Sequence, residues 1–367
     1  MSDKNLKSKT IGGFFWRFAE RCGAQGVSLI VSIVLARLLA PEQFGVVSLI
    51  LVFTEILQVF VDSGLGNALI QKKNADDLDF SSVFYFNFVV CLVLYTGMFL
   101  IAPIIDNQLY IGKYDNLTAY IRVLSLVLII SGVKNIQQAY VSRKMIFKKF
   151  FFATLGGTIV AAIIGIVMAY YGFGVWAIIA QNLVNKVIDT TVLWVTVKWR
   201  PKRMFSFARL KILLSYGWKL LCSSLIDVIY RKTRQLIIGS YYSSSDLAFY
   251  NEGDKIPNFV VNNINTSIDS VLFPAMSKGQ DSKKHMKSMV RRSIKTSSFF
   301  MWPMMLGICA IAEPMVSLIL TDKWLPCVLF MRIFCIVYAF IPIHTANLNA
   351  IKAMGRSDIF LKLEIIK

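Results

Sequence analysis

Apolar positions along this chain gather into long, nearly unbroken runs separated by short polar segments. The runs fall at about 11–37, 46–70, 80–104, 117–140, 152–171, 173–197, 211–239, 247–275, 294–320 and 325–351. A helix needs about 20 mostly apolar residues to cross the hydrocarbon of a bilayer. Periodicity within the runs is helical, and none shows the two-residue alternation of a barrel strand. Lipid admits only structures that satisfy their own backbone hydrogen bonds, so the pattern predicts an all-α integral membrane protein of about ten transmembrane helices. An eleventh begins near Ile359. The longest segment between spans, about 276–293, is too short for a folded domain.

Composition agrees with this. Of the 367 residues 56% are hydrophobic and 17% charged, against roughly 25% charged in a soluble domain. A net charge of +19 would suit a nucleic-acid partner, but the placement of the charges excludes that class. Alternate loops hold them: Lys4, Lys7 and Lys9; Lys72 and Lys73; Arg143 to Lys149; Lys198 to Lys211; Lys278 to Lys295; Lys352, Arg356 and Lys362. The opposite loops hold little beyond Arg37, Lys113 and Lys323. By the positive-inside rule the N-terminus and the basic loops are cytoplasmic, facing anionic membrane lipid. The polar tail and the first span, with no small-residue cleavage site, predict an uncleaved first helix.

Self-comparison finds a repeat. Residues 35–73 align with 238–276 without a gap, at an offset of about 203. Ser48, Glu55 and Asp62 then meet Asn251, Asn258 and Asn265, and farther on Arg143-Lys144-Met145-Ile146-Phe147 resembles Arg356-Ser357-Asp358-Ile359-Phe360. First pairs with seventh, second with eighth and fourth with tenth span. An offset of six helices preserves orientation, so the repeats are parallel. Two six-helix lobes are expected, residues 1–200 and 201–367, the second one incomplete at residue 367.

Polar residues inside spans are costly, about 2.5–3.5 kcal/mol for a central charge, and should face a cavity or a partner. The eighth span carries Asn251, Lys255, Asn258, Asn262, Asn265 and Asp269 on one helical face, and the second carries Glu55, Gln58 and Asp62. Such stripes read as the wall of a wet path, or as hydrogen-bonding glue between helices. The seventh span sets Arg231 and Arg234 with Asp227 on one face, with Lys232 beside them. Three cations against one carboxylate form an anion-attracting patch, unless they snorkel to the headgroups. Arg21 near the start of the first span and Lys134 late in the fourth are candidates for the same cavity. In the fifth span Ala153, Gly157, Ala161, Gly165 and Ala169 recur every fourth residue, a spacing that lets two helices approach closely.

Enzymatic signatures are not found. Asp77-Leu78-Asp79 reads as a solvated turn, no P-loop is present, and no nucleophile–base set stands out. The six cysteines lie in or beside apolar runs without CxxC spacing and read as packing residues, and the two histidines are far apart. No metal or cofactor is expected.

Several segments together resemble one family. Leu35-Ala36-Arg37-Leu38-Leu39-Ala40-Pro41-Glu42-Gln43-Phe44-Gly45, Gly64-Leu65-Gly66-Asn67-Ala68-Leu69-Ile70-Gln71, Leu236-Ile237-Ile238-Gly239, Phe273-Pro274-Ala275, Lys323-Trp324-Leu325-Pro326 and Gly355-Arg356-Ser357-Asp358-Ile359-Phe360 are similar to bacterial polysaccharide-repeat-unit flippases. These are the Wzx-like, colanic-acid and O-antigen type of the multidrug/oligosaccharidyl-lipid/polysaccharide exporter superfamily. The resemblance implies a bacterial inner-membrane transporter, not an enzyme. It would flip undecaprenyl-pyrophosphate-linked oligosaccharide by alternating access, alongside a polysaccharide polymerase and a chain-length partner. The residues are compatible with such a substrate: Arg231, Lys232, Arg234, Lys255, Arg21 and Lys134 as cavity cations would hold phosphate oxygens by charge-assisted hydrogen bonds, while asparagine and glutamine side chains meet sugar hydroxyls. Two departures stand out: members usually have 12 to 14 helices, and Arg234-Gln235 replaces an acidic–basic pair common in relatives. A drug/cation antiporter of the same superfamily, a membrane-embedded polymerase and an inactive remnant are the competing readings.

Overall fold

The computed structural model describes residues 23–353 except 63, 73, 110–113, 115, 145, 147 and 279–282, together with 362–363. Among the described residues all regular structure is helical. The helices are α1 (Gly23–Leu38), α2 (Pro41–Asp62), α3 (Leu65–Gln71), α4 (Asp77–Ile104), α5 (Leu117–Leu124), α6 (Leu126–Lys144), α7 (Lys148–Tyr170) and α8 (Val175–Thr196), followed by α9 (Phe207–Tyr241), α10 (Ser244–Lys278), α11 (Lys283–Ala310), α12 (Ala312–Ile319), α13 (Cys327–Ala339) and α14 (Ile341–Ala353). Among the described residues a helix or a broken helix thus lies in each of the apolar runs.

Among the described residues five helices are long and apolar enough to cross a membrane, or six if the pair α11–α12, bent by 64°, counts as one span. This is fewer than the ten apolar runs because α8, α9 and α10 carry polar stripes that lower their hydropathy, and α1 is described only from Gly23. The apolar outer faces fit lipid. On α4, Val89, Val93, Leu100 and Ile104 stand exposed along one stripe, where a soluble helix would carry charges. The chain is a multi-pass membrane protein. The segment expected to begin an eleventh helix near Ile359 lies outside the described residues.

Two compact units emerge, Met1–Leu247 and Ala248–Lys367. The first reaches beyond residue 200 because α9 packs along α2 and α3. Its two largest core clusters among the described residues are these. One gathers Leu35, Leu49, Ile50, Leu117, Ile121 and Ile179; the other gathers Leu65, Leu69, Phe80, Ile136 and Leu193. The stripe of small residues on α7 is buried along its length and faces α8. A Cβ on Gly157 would come within 3.0 Å of the Asn185 carbonyl, and one on Gly165 within 3.0 Å of Gln181 Cβ. Close backbone approach is what such a stripe permits, and packing is what holds membrane helices together. In the second unit, Gly253 of α10 meets α13 in the same way, with Cys327 O 2.9 Å from where its Cβ would be.

The helix breaks follow the repeat. α1 ends at Leu38 and α9 at Tyr241; α2 starts at Pro41 and α10 at Ser244. Each pair is separated by the offset of the sequence alignment, as expected if the two segments are copies of one motif.

Asp77-Leu78-Asp79 is not a solvated turn. It opens α4, where Asp76 is the N-cap and forms a reciprocal capping box with Asp79. The Asp79 carboxylate is fully buried, 2.7 Å from Lys72 Nζ. Asp77 binds Lys202 at 2.6 Å and accepts from Trp199 Nε1 at 3.2 Å, and Asp76 pairs with Arg209. The cluster ties the segment between α8 and α9 to the start of α4. Carboxylates at a helix N-terminus also complement its dipole. The Arg209 hydrogen bond, with the Asp79 N–H, lowers the Asp76 carboxyl to about 2.

Candidate polar cavity

The polar stripe of α2 continues one turn at a time toward α3. Gln58 Nε2 donates to Asp62 Oδ1 at 3.2 Å. Both residues line a cavity of about 520 Å³ in the first unit, together with Asn67 of α3, Ser131, Lys134, Asn135, Gln138 and Ser142 of α6, and Lys186 of α8. The walls are amides, hydroxyls and ionisable groups, with Gly66, Ile70 and Ala139 as the nonpolar lining residues. α6 contributes most because Ser131, Asn135, Gln138 and Ser142 recur at spacings of four, three and four, one face of a helix.

Two lysines meet this cavity in different states. Lys134 forms an ion pair with Asp189 of α8, whose side chains are 17% and 6% exposed. The other Asp189 oxygen, Oδ1, is buried with no hydrogen-bond partner. Lys186, one helical turn before Asp189, pairs with no carboxylate among the described residues. It feels the charges of Lys134, Asp189, Asp62 and Glu55. An ammonium left unpaired among amides and hydroxyls can donate to an anionic ligand at little rearrangement cost. Asn135 Nδ2 also bonds Val61 O at 2.8 Å, fixing α6 to the end of α2.

The other expected site residues distribute as follows. Glu55 stands about 4–5 Å before Gln58 along the α2 axis and pairs with Lys232 of α9 at 2.6 Å. Arg231 pairs with Asp227 at 2.8 Å, both well exposed. Arg234 lies 5.9 Å from the Tyr230 ring centroid and has no carboxylate partner among the described residues. In the second unit Lys255 pairs with Glu252. Asn258 donates to Asp254 Oδ2 at 3.0 Å and to Tyr338 Oη of α13 at 3.3 Å. Tyr338 in turn donates to Asp254 Oδ1, and Asn262 donates to Asn258. That part of the α10 stripe is therefore a hydrogen-bonded ladder reaching α13. Asn251 is half-buried one turn earlier. The side chains of Asn265 and Asp269, and all of Arg21, lie outside the described residues.

Lys186, Asn67, Asn135 and Gln138 are cavity residues that the polar-stripe reading of the second, seventh and eighth spans passes over, as it does Asp189, the partner of Lys134. The same spacing test applied to α6 and α8 finds all of these except Asn67, which lies on the short helix α3. Among the described residues no group of histidine, cysteine and carboxylate side chains could hold a metal ion.

A description of the polysaccharide biosynthesis protein family matches residues 34–329, which is most of the chain and both units. The chain belongs to that family. Relatives include the succinoglycan biosynthesis transport protein ExoT of Rhizobium meliloti, 25% identical over 84% of this chain and 62% of that protein. The lipopolysaccharide biosynthesis protein WzxC of Escherichia coli is 23% identical over 99% of this chain and 74% of its own length. The teichuronic acid biosynthesis protein TuaB of Bacillus subtilis is 22% identical over 83% and 63%. This family member therefore spans less than two thirds of the ExoT and TuaB lengths.

In fold, it is similar to the lipid II flippase MurJ in an inward closed conformation, with a TM-score of 0.72, 14% identity and coverage of 93% of this chain and 76% of that one. An inward-facing multidrug resistance MATE transporter of the MOP superfamily gives 0.70, 16%, 92% and 83%. The likeness shows that this chain shares the fold of these two transporters.

Proposed function

We propose that this chain is a flippase for polyprenyl-pyrophosphate-linked oligosaccharide, carrying repeat units from the cytoplasmic to the periplasmic leaflet of a bacterial inner membrane for surface-polysaccharide synthesis. The polar cavity carries the reading. A cavity of about 520 Å³ among the helices is lined by amides, hydroxyls and Lys186, which pairs with no carboxylate among the described residues. This is the wrong environment for a lipid tail and a suitable one for a sugar headgroup. Amide and hydroxyl side chains both donate and accept, as sugar hydroxyls do. Lys186, with Arg231, Lys232, Arg234, Lys255, Arg21 and Lys134 as further cations, would hold phosphate oxygens by charge-assisted hydrogen bonds. The polyprenyl chain stays in lipid. Family membership, relatives named for succinoglycan, lipopolysaccharide and teichuronic acid synthesis, and the fold of a lipid II flippase support the same reading.

Two parallel six-helix lobes, 1–200 and 201–367, would supply alternating access. The basic ends near Lys72, Lys202 and Arg209 would face the cytoplasm. A polymerase and a chain-length partner would act on the delivered unit outside.

The test is polymer export from a host dependent on this gene, at matched membrane abundance. Lys186→Gln and Arg234→Gln should each cut export, and together nearly abolish it. Undiminished export by the double variant would refute the assignment of these cations to the substrate.

A further inference from the structure

The start of α2 and the junction of α9 with α10 approach at very short range. A Cβ on Gly45 would lie 1.8 Å from the Ser244 carbonyl oxygen, and one on Gly239 would lie 2.6 Å from Leu49 Cδ1. Gly45 faces backbone and admits no side chain while the helices stay where they are, whereas at Gly239 the end of the Leu49 side chain would have to shift. Ser245 Oγ donates to Glu42 Oε1 at 2.7 Å, and these two residues are 203 positions apart. Repeat-equivalent residues thus touch each other, as they do across a two-fold contact. Tyr114 Oη adds a bond to Gly239 O at 3.3 Å. About 20 Å from the start of α2, the same two helices are joined by the 2.6 Å pair of Lys232 and Glu55, 22% and 48% exposed. Next along α2 come Gln58 and Asp62, in the wall of the polar cavity. The order along α2 is therefore a tight contact, an ion pair, then the cavity.

We propose that Lys232–Glu55 is a latch released by the anionic headgroup of the substrate, and that its release lets the glycine-lined contact above it part. The inference rests on the flippase reading and adds the step by which substrate triggers opening. The pair is partly exposed, Lys232 less than Glu55, so an anion can reach it without unpacking the helices. A diphosphate presents more charge than a carboxylate and can accept the same three-donor ammonium. Arg234, without a carboxylate partner among the described residues, and Arg231, whose partner Asp227 is exposed, add positive potential on the same helix. Once Lys232 turns to phosphate, Glu55 loses its countercharge and the closed contact loses a partly exposed ion pair, a modest bias toward opening.

The experiment uses the full chain in nanodiscs, its own cysteines replaced, with nitroxide labels at Glu42→Cys and Tyr242→Cys. The probe is geranyl diphosphate, with geraniol as the uncharged control and calorimetric binding measured on the same samples. Geranyl diphosphate should raise the population with the longer label separation by about two- to fivefold, the bias an ion pair of this exposure can exert. Geraniol should not. Glu55→Gln and Lys232→Gln should show the longer separation without probe, and the exchanged pair Glu55→Lys with Lys232→Glu should restore the shorter one. That exchange separates loss of pairing from loss of fold. Binding without a change in separation, or single variants or an exchanged pair that depart from this pattern, would overturn the latch and leave the flippase reading standing. Absence of diphosphate binding to the unsubstituted chain would overturn the flippase reading, and the latch with it.

Discussion

Lys134→Met removes one partner of the ion pair that joins α6 to α8. Asp189 would remain with a side chain 6% exposed and with its second oxygen already lacking a hydrogen-bond partner. Breaking a buried pair from one side costs about 3–5 kcal/mol, since the remaining charge keeps its desolvation penalty and loses its compensation. Lys186 interacts with the same carboxylate and offsets part of this, which favours the low end, about 3 kcal/mol. At about 2–4 °C per kcal/mol for a cooperative unit of this size, the apparent melting point of the purified chain in detergent should fall by about 6–12 °C. Lys134→Met with Asp189→Asn removes both charges, leaves a neutral amide, and should recover most of the loss. Size-exclusion chromatography of heated samples measures both. A double variant that melts at or below the Lys134→Met single would show that the two charges do not stabilise each other, and the reasoning would fail.

Three further outcomes follow from the geometry. Gly45→Ala places its methyl against the Ser244 carbonyl and should lower the melting point far more than Gly156→Ala, where nothing lies within 4 Å; equal effects would show that the contact yields freely. Arg209→Gln should return Asp76 from about 2 toward the ordinary carboxylate range. The native pair stabilises above that range and its contribution is lost as pH falls through about 2, so melting between pH 4 and 2 should depend less on pH in the variant, by a small amount at so exposed a site. Tyr338→Phe deletes the hydroxyl that bridges Asp254 and Asn258 and should destabilise the second unit by about 1–3 kcal/mol, read as faster proteolysis within α10–α13.

Much of the helical architecture was legible from the spacing of apolar residues, since a membrane helix must be apolar over most of its length. The α7 stripe was equally plain, because only small residues allow the approach to α8 at Gly157 and Gly165. Pairing was not legible. Lys134 and Asp189 lie 55 positions apart, and nothing in either local pattern names the other. Lys232 falls among three cations on α9, yet its partner Glu55 sits on α2, so the apparent surplus of positive charge on α9 is smaller than its own sequence implies. The α10 stripe shows the converse. Its periodicity gives a face, but only the fold brings Tyr338 to that face and turns Asn258 into part of a ladder. Asp77 and Asp79 were misread as a solvated turn because the countercharges that bury Asp79 come from Lys72 and Arg209, the latter far away in sequence.

The most direct measurement is the leaflet location of the lipid-linked repeat unit in a host lacking this gene, with the chain resupplied as wild type or as Lys186→Gln with Arg234→Gln. The unit should accumulate on the cytoplasmic side without the gene, reach the periplasmic side with the wild-type chain, and stay inside with the variant. A unit that crosses normally in the absence of the gene would contradict the proposal that this protein moves it.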